Sequence, residues 1–181
     1  MVNWVALFCS SGGFTGFIPG LLSRGRLVWG GLMGSLVGVV LQLYCMQQQD
    51  AIGCQLGLIA ITFGIGIYTV PVAEQFMLMR WGPRRRHTGD WADHDFNETC
   101  LDEVHGQLIA GLPVYWLSQG PLHGSLLLAV SFILFRLFDA KKVGPVKWTE
   151  DRMPGVLGIM ADDTVAGIMA AVAVSCLVLF A

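Results

Sequence analysis

Long apolar segments alternate with short polar ones along this chain, and the pattern predicts an all-α, polytopic membrane helical bundle. A helix needs about 20 apolar residues to cross a bilayer. Four to five segments approach that length, separated by polar turns at 47–50 and 118–125 and by loops at 80–95 and 144–158. The predicted spans are residues 27–46, residues 51–73, a third running from the acidic stretch that follows residue 94 to about residue 117, residues 126–138 or from slightly earlier, and residues 162–181.

The N-terminal part differs from these spans because glycine and proline interrupt it. Residues 1–23 carry no charge. We interpret 1–26 as an irregular or interfacial segment, either a surface helix plus a loop or a segment packed inside the protein. In the first span, Gly30, Gly34 and Gly38 recur at every fourth position. Small residues at that spacing form a face on which another helix can pack closely.

Composition supports the membrane assignment. Hydrophobic residues make up 54% of the 181 residues and charged residues only 13%, with a mean hydropathy of +0.61, whereas soluble domains average about 25% charged residues. The net charge of -2 argues against a nucleic-acid binder. The five cysteines show neither a CxxC pair nor metal-ligand spacing, so we interpret them as small apolar side chains in a reduced compartment or in lipid.

The basic residues predict an orientation. All eleven Lys and Arg fall within 24–26, 80–86, 136–142 and 147–152. The predicted helices put these segments on one side of the membrane, and the opposite turns, 47–50 and 118–125, contain none. This is the positive-inside pattern, which assigns the basic side to the cytoplasm. The run 84–86 reads as an anchor for anionic headgroups, with a specific phosphate site as the alternative.

Acidic residues gather directly before an apolar run. Asp95, Glu98, Asp102 and Glu103 precede residues 104–135, which contain no charged side chain. Asp95 and Glu98 fit a helix capping box, which would put both on one helix face with Asp102. One interpretation is a solvated first turn that the helix dipole favours. The other is a cation site.

A second acidic pair, Asp162 and Asp163, has matching spacing. Gly167 follows Asp163 by four residues, as Gly106 follows Asp102. Carboxylates one turn from a glycine, on two helices, can approach each other closely. Carboxylates that near require a cation or a shared proton, and hard oxygen ligands are those that Mg²⁺ prefers. The alternative is that the pair caps the last helix.

Arg136 and Asp139 lie three residues apart. They form either a local ion pair or a site in which each of them binds a different group. In the second case Asp139 binds the metal and Arg136 binds a phosphate, which a guanidinium contacts bidentately.

The four histidines show no metal spacing, and His105 reads as a packed polar residue rather than a catalytic base. No GxSxG, Walker loop or cysteine-phosphatase motif is present. This inventory suits metal-assisted hydrolysis of a phosphate ester.

Three stretches resemble a known family. LDEVHGQ (101–107), FRLFDAKKVGP (135–145) and GIMADDTVAG (158–167) resemble the signature blocks of the phosphatidylglycerophosphatase A family, and GSLVG (34–38) resembles the end of its first block. The resemblance covers roughly residues 30–175. It implies one helical domain over 1–181: a Mg²⁺-dependent phosphatase of the bacterial inner membrane that converts phosphatidylglycerophosphate to phosphatidylglycerol on the cytoplasmic side.

The resemblance also implies roles for individual residues. The expected catalytic residues are Asp102, Glu103, Asp139 and Asp163. The expected metal ligands are Glu98, Asp102, Glu103, Asp139, Asp162 and Asp163. The expected phosphate-binding residues are Arg136, Lys142, Arg24 and Arg26, of which Arg24 and Arg26 stand where the family has a Pro-Lys loop that is missing here. The expected partner is an anionic phospholipid substrate, and no oligomeric state is predicted.

Two other functions remain open from the sequence. A small membrane transporter would use carboxylates at mid-span on several helices, whereas those here cluster at one face. A non-catalytic membrane subunit would explain the altered first block but not the retained carboxylates.

Overall fold

The computed structural model describes residues 4–18, 30–85, 91–92, 98–153 and 155–180, and in these residues the chain is almost entirely helical. The helices are α1 Trp4–Ser10, α2 Gly30–Cys45, α3 Ala51–Trp81, α4 Leu101–Ala110, α5 Val114–Leu117, α6 Pro121–Lys141, α7 Pro145–Arg152 and α8 Val156–Leu179. A 3-10 turn, Thr15–Phe17, follows α1. Strands β1 Arg84–Arg85 and β2 Trp91–Ala92 form one short antiparallel pair. The predicted all-α class is confirmed.

The helices α3, α6 and α8 are long and apolar enough to cross a membrane. The helix α2 is also apolar but has only 16 residues. Large apolar side chains point outward from the three long helices: Tyr68, Ile133 and Val172 are 71%, 62% and 57% exposed. Outward apolar surface on helices of this length is typical of a bundle in lipid, so the membrane assignment is supported. The number of spans stays a prediction.

The short helix α4 forms the centre of the bundle, where α2, α3, α6 and α8 contact it. Nine of its ten residues are buried. Glycines on α2 permit the approach: a Cβ at Gly34 would collide with the carbonyl of Cys100, and one at Gly38 would lie 2.8 Å from the Cβ of Gln107. The predicted small-residue face therefore exists and packs against α4.

The second predicted span ends too early at residue 73. The helix α3 continues to Trp81, so Glu74 lies inside it and is buried, and Arg80 lies in its last turn. Gly82 ends the helix with a φ of 74°, while its N–H still donates to the carbonyl of Leu78. The left-handed φ suits a glycine, which explains why the helix stops there.

The third predicted span is wrong as a continuous helix. Cys100 is the N-cap of α4, so Glu98 precedes the helix and the predicted capping box does not form here; Asp95 lies outside the described residues. The helix ends at Ala110, and the turn before α5 contains Gly111 and Pro113. Proline lacks an N–H and disfavours a helical residue before it, so the chain breaks into two short helices.

Boundaries near the C-terminus also differ from the prediction. The helix α8 begins at Val156 rather than near residue 162, so Asp162 and Asp163 lie in its second turn and cannot cap it. The predicted loop 144–158 contains α7, whose Pro145 occupies the first turn, where proline is favoured. The helix α6 begins at Pro121 and extends to Lys141, beyond the predicted 126–138.

The described N-terminal residues, 4–18, pack one face against the bundle, where Leu7 and Ser10 are buried, while Trp4, Val5 and Phe8 are at least 50% exposed. Leu7 of α1 packs with Ala73 and Met77 of α3. The N–H of Cys100 donates to the carbonyl of Ser10 at 2.8 Å. The segment is therefore a short helix plus a turn that supports the start of α4.

Candidate active site

The helices α4 and α8 meet at two glycines. A Cβ at Gly167 would lie 2.5 Å from the carbonyl oxygen of Gly106, and one at Gly106 would lie 2.7 Å from the carbonyl oxygen of Asp163. A side chain on either residue would push the helices apart. Because Asp102 and Asp163 each lie one turn before these glycines, the crossing brings their carboxylates together, which is the approach that the sequence predicts.

Three carboxylates converge at this crossing. Asp102 and Glu103 of α4 and Asp163 of α8 each offer one oxygen, and these oxygens lie within 4.8 Å of one another. Asp102 and Asp163 are only 5% and 4% exposed. A fourth carboxylate comes from α6, since Asp139 is within hydrogen-bonding reach of Asp163. We call these four residues the carboxylate cluster.

The carboxylate cluster has the chemistry of a site for a hard cation. Buried carboxylates repel one another unless a cation or protons lie between them. Its ligand atoms are all carboxylate oxygens, the set that suits Mg²⁺, Ca²⁺ or Mn²⁺. One oxygen of Glu103 is buried and has no hydrogen-bond partner among the described residues. The cluster can therefore hold a metal ion.

Arg136 supplies positive charge at the edge of the carboxylate cluster. Its Nη1 lies 2.7 Å from Asp139 Oδ2 and donates to Ser35 Oγ at 3.3 Å. The local ion pair considered from the sequence is therefore present. A Cβ at Gly31 would lie 3.1 Å from Arg136 Nη2 and would also collide with Glu103 Oε1. The N-terminal turns of α2 thus form one wall of the site.

Sequence reasoning missed the positions of Gly31 and Ser35. Their signal is weak: Ser35 follows Gly31 by four residues in GGLMGS, the stretch whose end resembles the family's first block. The contact between Ser35 and Arg136 joins residues 101 positions apart, and no local pattern predicts such a contact.

Lys142 joins three helices at the end of α6. It is the C-cap of α6 with a φ of 43°, and its Nζ lies 2.9 Å from both Glu150 Oε1 of α7 and Asp162 Oδ2 of α8. Asp162 Oδ1 accepts the N–H of Asp163 at 3.0 Å. Asp162 is therefore directed to Lys142 and to its own helix, and it lies outside the group of three converging carboxylates. Glu150 was not predicted.

The ion pairs of Glu150 affect its protonation. Burial by itself raises the pKa of Glu150, but the hydrogen bond and charge of Lys142 and the charge of Lys147 outweigh burial and hold the pKa below its usual value. The carboxylate therefore stays ionised at neutral pH, and it keeps α7 attached to the rest of the site.

The remaining predicted residues lie away from the three converging carboxylates or outside the described chain. Glu98 precedes α4 and does not belong to that group. Arg24 and Arg26 lie outside the described residues. His105 is buried against α3, with Nδ1 3.1 Å from the hydroxyl of Thr62 and its ring 5.3 Å from that of Phe63. It is a packed polar residue, as expected.

Comparison with known proteins identifies the family. The model of the family described as phosphatidylglycerophosphatase A matches residues 8–178. The chain belongs to this family. The resemblance seen in the three blocks is confirmed, and the membership makes the protein a phosphoric monoester hydrolase of the membrane. Those blocks lie on α4, α6 and α8, the helices that build the carboxylate cluster.

Two relatives carry the family name phosphatidylglycerophosphatase A. The protein from Haemophilus influenzae is 28% identical over 161 residues, which cover 88% of this chain and 82% of that protein. The protein from Escherichia coli is 32% identical over 82 residues, which cover 45% of this chain and 44% of that protein. No solved structure matches the chain significantly.

Proposed function

We propose that this protein hydrolyses the terminal phosphate monoester of phosphatidylglycerophosphate to give phosphatidylglycerol, with Mg²⁺ as its cofactor. The names of both relatives support this substrate. The observation that carries the proposal is the convergence of Asp102, Glu103 and Asp163, whose oxygens lie within 4.8 Å of one another. The match over residues 8–178 supports a single catalytic domain.

The residues of the carboxylate cluster bind the metal ion in this proposal. Asp102, Glu103 and Asp163 hold the ion, with Asp139 beside them. When bound, Mg²⁺ polarises the phosphoryl oxygen and lowers the pKa of a water molecule. Phosphate monoesters hydrolyse up to ~10²¹-fold more slowly without an enzyme, so fixing charge where the transition state develops it is the main requirement.

Arg136 binds the phosphate in this proposal. Its ion pair with Asp139 and its hydrogen bond to Ser35 hold the guanidinium beside Glu103. A guanidinium has five N–H donors in a fixed fork, so donors remain for the phosphate after these two contacts. We assign Lys142 a positioning role instead, because its ammonium lies between Glu150 and Asp162. Arg24 and Arg26 stay candidates for the phosphate.

We further propose that the site faces the cytoplasm across a bacterial inner membrane that the chain crosses four to five times. A Cβ at Gly124 would lie 3.5 Å from the Cε of Met46, so the two turns without basic residues lie at one end of the bundle. Gly31, with Arg136 of α6 beside it, lies at the opposite end of α2 from Met46. The distribution of all eleven Lys and Arg then follows the positive-inside rule.

Phosphate release from phosphatidylglycerophosphate in mixed micelles tests the proposal. We expect activity to disappear with a chelator and to return with Mg²⁺. The Asp163→Asn variant should lose at least ~100-fold in kcat, the scale on which electrostatic catalytic groups act. Asp151→Asn, at a carboxylate that is 56% exposed, is the matched control and should keep full activity. Full activity of Asp163→Asn would contradict the assignment of the site.

The same preparation separates the two alternatives. A transporter would show ion flux in liposomes that depends on Asp163, without phosphate release. A non-catalytic subunit would release no phosphate from any lipid phosphate monoester, with or without Mg²⁺.

A further inference from the structure

A pair of cysteines lies at the end of the bundle opposite the carboxylate cluster. Cys45 is the last residue of α2, and Cys54 lies in the first turn of α3. Their sulfur atoms are 2.8 Å apart. Gly31, beside Glu103, precedes Cys45 by 14 residues, which is about 21 Å along a helix that rises 1.5 Å per residue. The pair is therefore separate from the active site.

The turn that carries the two cysteines is held in place on both sides. Asp50 caps α3, since its Oδ1 accepts the N–H of Gly53 at 2.9 Å. Gln55, next to Cys54, donates to the carbonyl of Leu108 at 2.5 Å and accepts from the hydroxyl of Tyr115. These contacts fix the start of α3 against α4 and α5. The two thiols are thus held near each other by the fold and not only by the short turn between them.

We propose that Cys45 and Cys54 form a disulfide that joins α2 to α3. The reaction is an exchange with a disulfide donor. One cysteine thiolate attacks the donor disulfide and releases one donor thiol, and the second cysteine then displaces the other donor thiol. Together the two cysteines lose two protons and two electrons, and the donor disulfide is reduced to two thiols. The proposal does not depend on the phosphatase activity.

The location of the turn favours oxidation in the cell. The turn 47–50 has no Lys or Arg, and neither has the neighbouring turn 118–125, which the positive-inside rule places outside the cytoplasm. Disulfides form and persist on that side, where the environment is oxidising. For this pair the proposal departs from the interpretation of all five cysteines as reduced apolar side chains, and both cysteines are free thiols in the structure.

The sequence makes the test simple, because no Lys or Arg lies between residues 27 and 79. Trypsin releases residues 27–80 as one peptide whose only cysteines are Cys45 and Cys54. Cys9, Cys100 and Cys176 lie on three other peptides and serve as internal controls. The purified full-length protein in detergent is treated with oxidised glutathione or with a phosphine reductant, then denatured, alkylated with N-ethylmaleimide and digested.

We expect the peptide 27–80 to carry two alkyl groups after reduction, and none after oxidation, when it is two hydrogens lighter than the free dithiol form. Cys45→Ser and Cys54→Ser should each abolish this change, whereas Cys176→Ser should retain it. Two alkyl groups after oxidation, or the same glutathione adduct at all five cysteines, would overturn the proposal. In cells quenched with acid before alkylation, the wild-type peptide should also carry no alkyl group. Two alkyl groups on this peptide would overturn the proposal that the disulfide forms in the cell.

Discussion

Gly167 of α8 lies directly against the backbone of Gly106 in α4, with 2.5 Å between the position of an added Cβ and the carbonyl oxygen. This contact sets the separation of the two helices whose carboxylates converge one turn earlier. The distance between these helices is small because neither residue has a side chain. Replacing either glycine by a larger residue should therefore change both stability and activity.

Gly167→Ala should destabilise the fold by about 1–3 kcal/mol, the usual cost of overpacking, and should lower the phosphatase rate because Asp163 moves away from Asp102. Thermal unfolding in detergent and phosphate release measure the two effects. Gly57→Ala is the matched control, since an added Cβ there meets nothing within 4 Å. If Gly167→Ala behaves like this control, the close crossing does not exist.

Gly31→Ala should reduce activity more than it reduces stability. The added Cβ would collide with the flexible ends of Glu103 and Arg136, which can move aside without unfolding the bundle. A displacement of about 1 Å at a catalytic group can lower a rate ~100-fold, so we expect a loss of about 10- to 100-fold in kcat. Gly64→Ala, in open space, should have no effect. A large drop in Tm with an unchanged kcat would be the opposite of this expectation.

Arg136→Lys should lower kcat/KM by about 10- to 100-fold, which corresponds to about 1.5–3 kcal/mol for hydrogen bonds to a charged group. The charge remains, but lysine lacks the planar fork that can contact Asp139, Ser35 and a phosphate together. Arg152→Lys on α7, where the side chain is exposed, is the control for the substitution itself. Steady-state kinetics at several substrate concentrations would separate binding from turnover, and wild-type kinetics for Arg136→Lys would exclude a bidentate role.

Glu150→Gln should lower Tm near neutral pH, and the difference from the wild type should vanish in acid. The pKa of Glu150 is lower in the folded protein than its usual value. A carboxylate with a lowered folded pKa stabilises the fold above its unfolded pKa, and this contribution is lost as the pH falls through the folded pKa. Unfolding measured across that range, with Asp151→Asn as control, tests the prediction. A difference that persists in acid would mean that Glu150 acts through packing alone.

The convergence of the carboxylates arises from a helix crossing, but it was predictable because its sequence signal lies within single helices. Asp102 with Gly106 and Asp163 with Gly167 repeat the same four-residue interval, and the interval on a helix is local information. The ends of the helices were harder to predict. Apolar composition continues across Gly111 and Pro113, so the span pattern hid the break after α4. The loop predicted at 144–158 contains α7 because Pro145 occupies the first turn of a helix, where proline is favoured.

The tertiary partners of the charged residues could not be predicted from local patterns. Lys142 reaches Asp162 across 20 positions, and Arg136 reaches Ser35 across 101. These contacts depend on how α2, α6, α7 and α8 are placed in space. The sequence therefore indicated which carboxylates form the cluster. The family resemblance implied a phosphate-binding role for Lys142, whereas its observed partners are the carboxylates of Glu150 and Asp162.

The length of α3 has one more consequence. Its 31 residues extend about 46 Å at 1.5 Å per residue, whereas the hydrocarbon layer is about 30 Å thick. A helix that crosses this layer without a strong tilt must protrude well beyond it, and Leu7 of α1 docks near its C-terminal end, at Ala73 and Met77. Part of α3 therefore extends past the hydrocarbon layer, and the packing of α1 against its C-terminal end buries apolar surface that the bilayer core would otherwise have to cover.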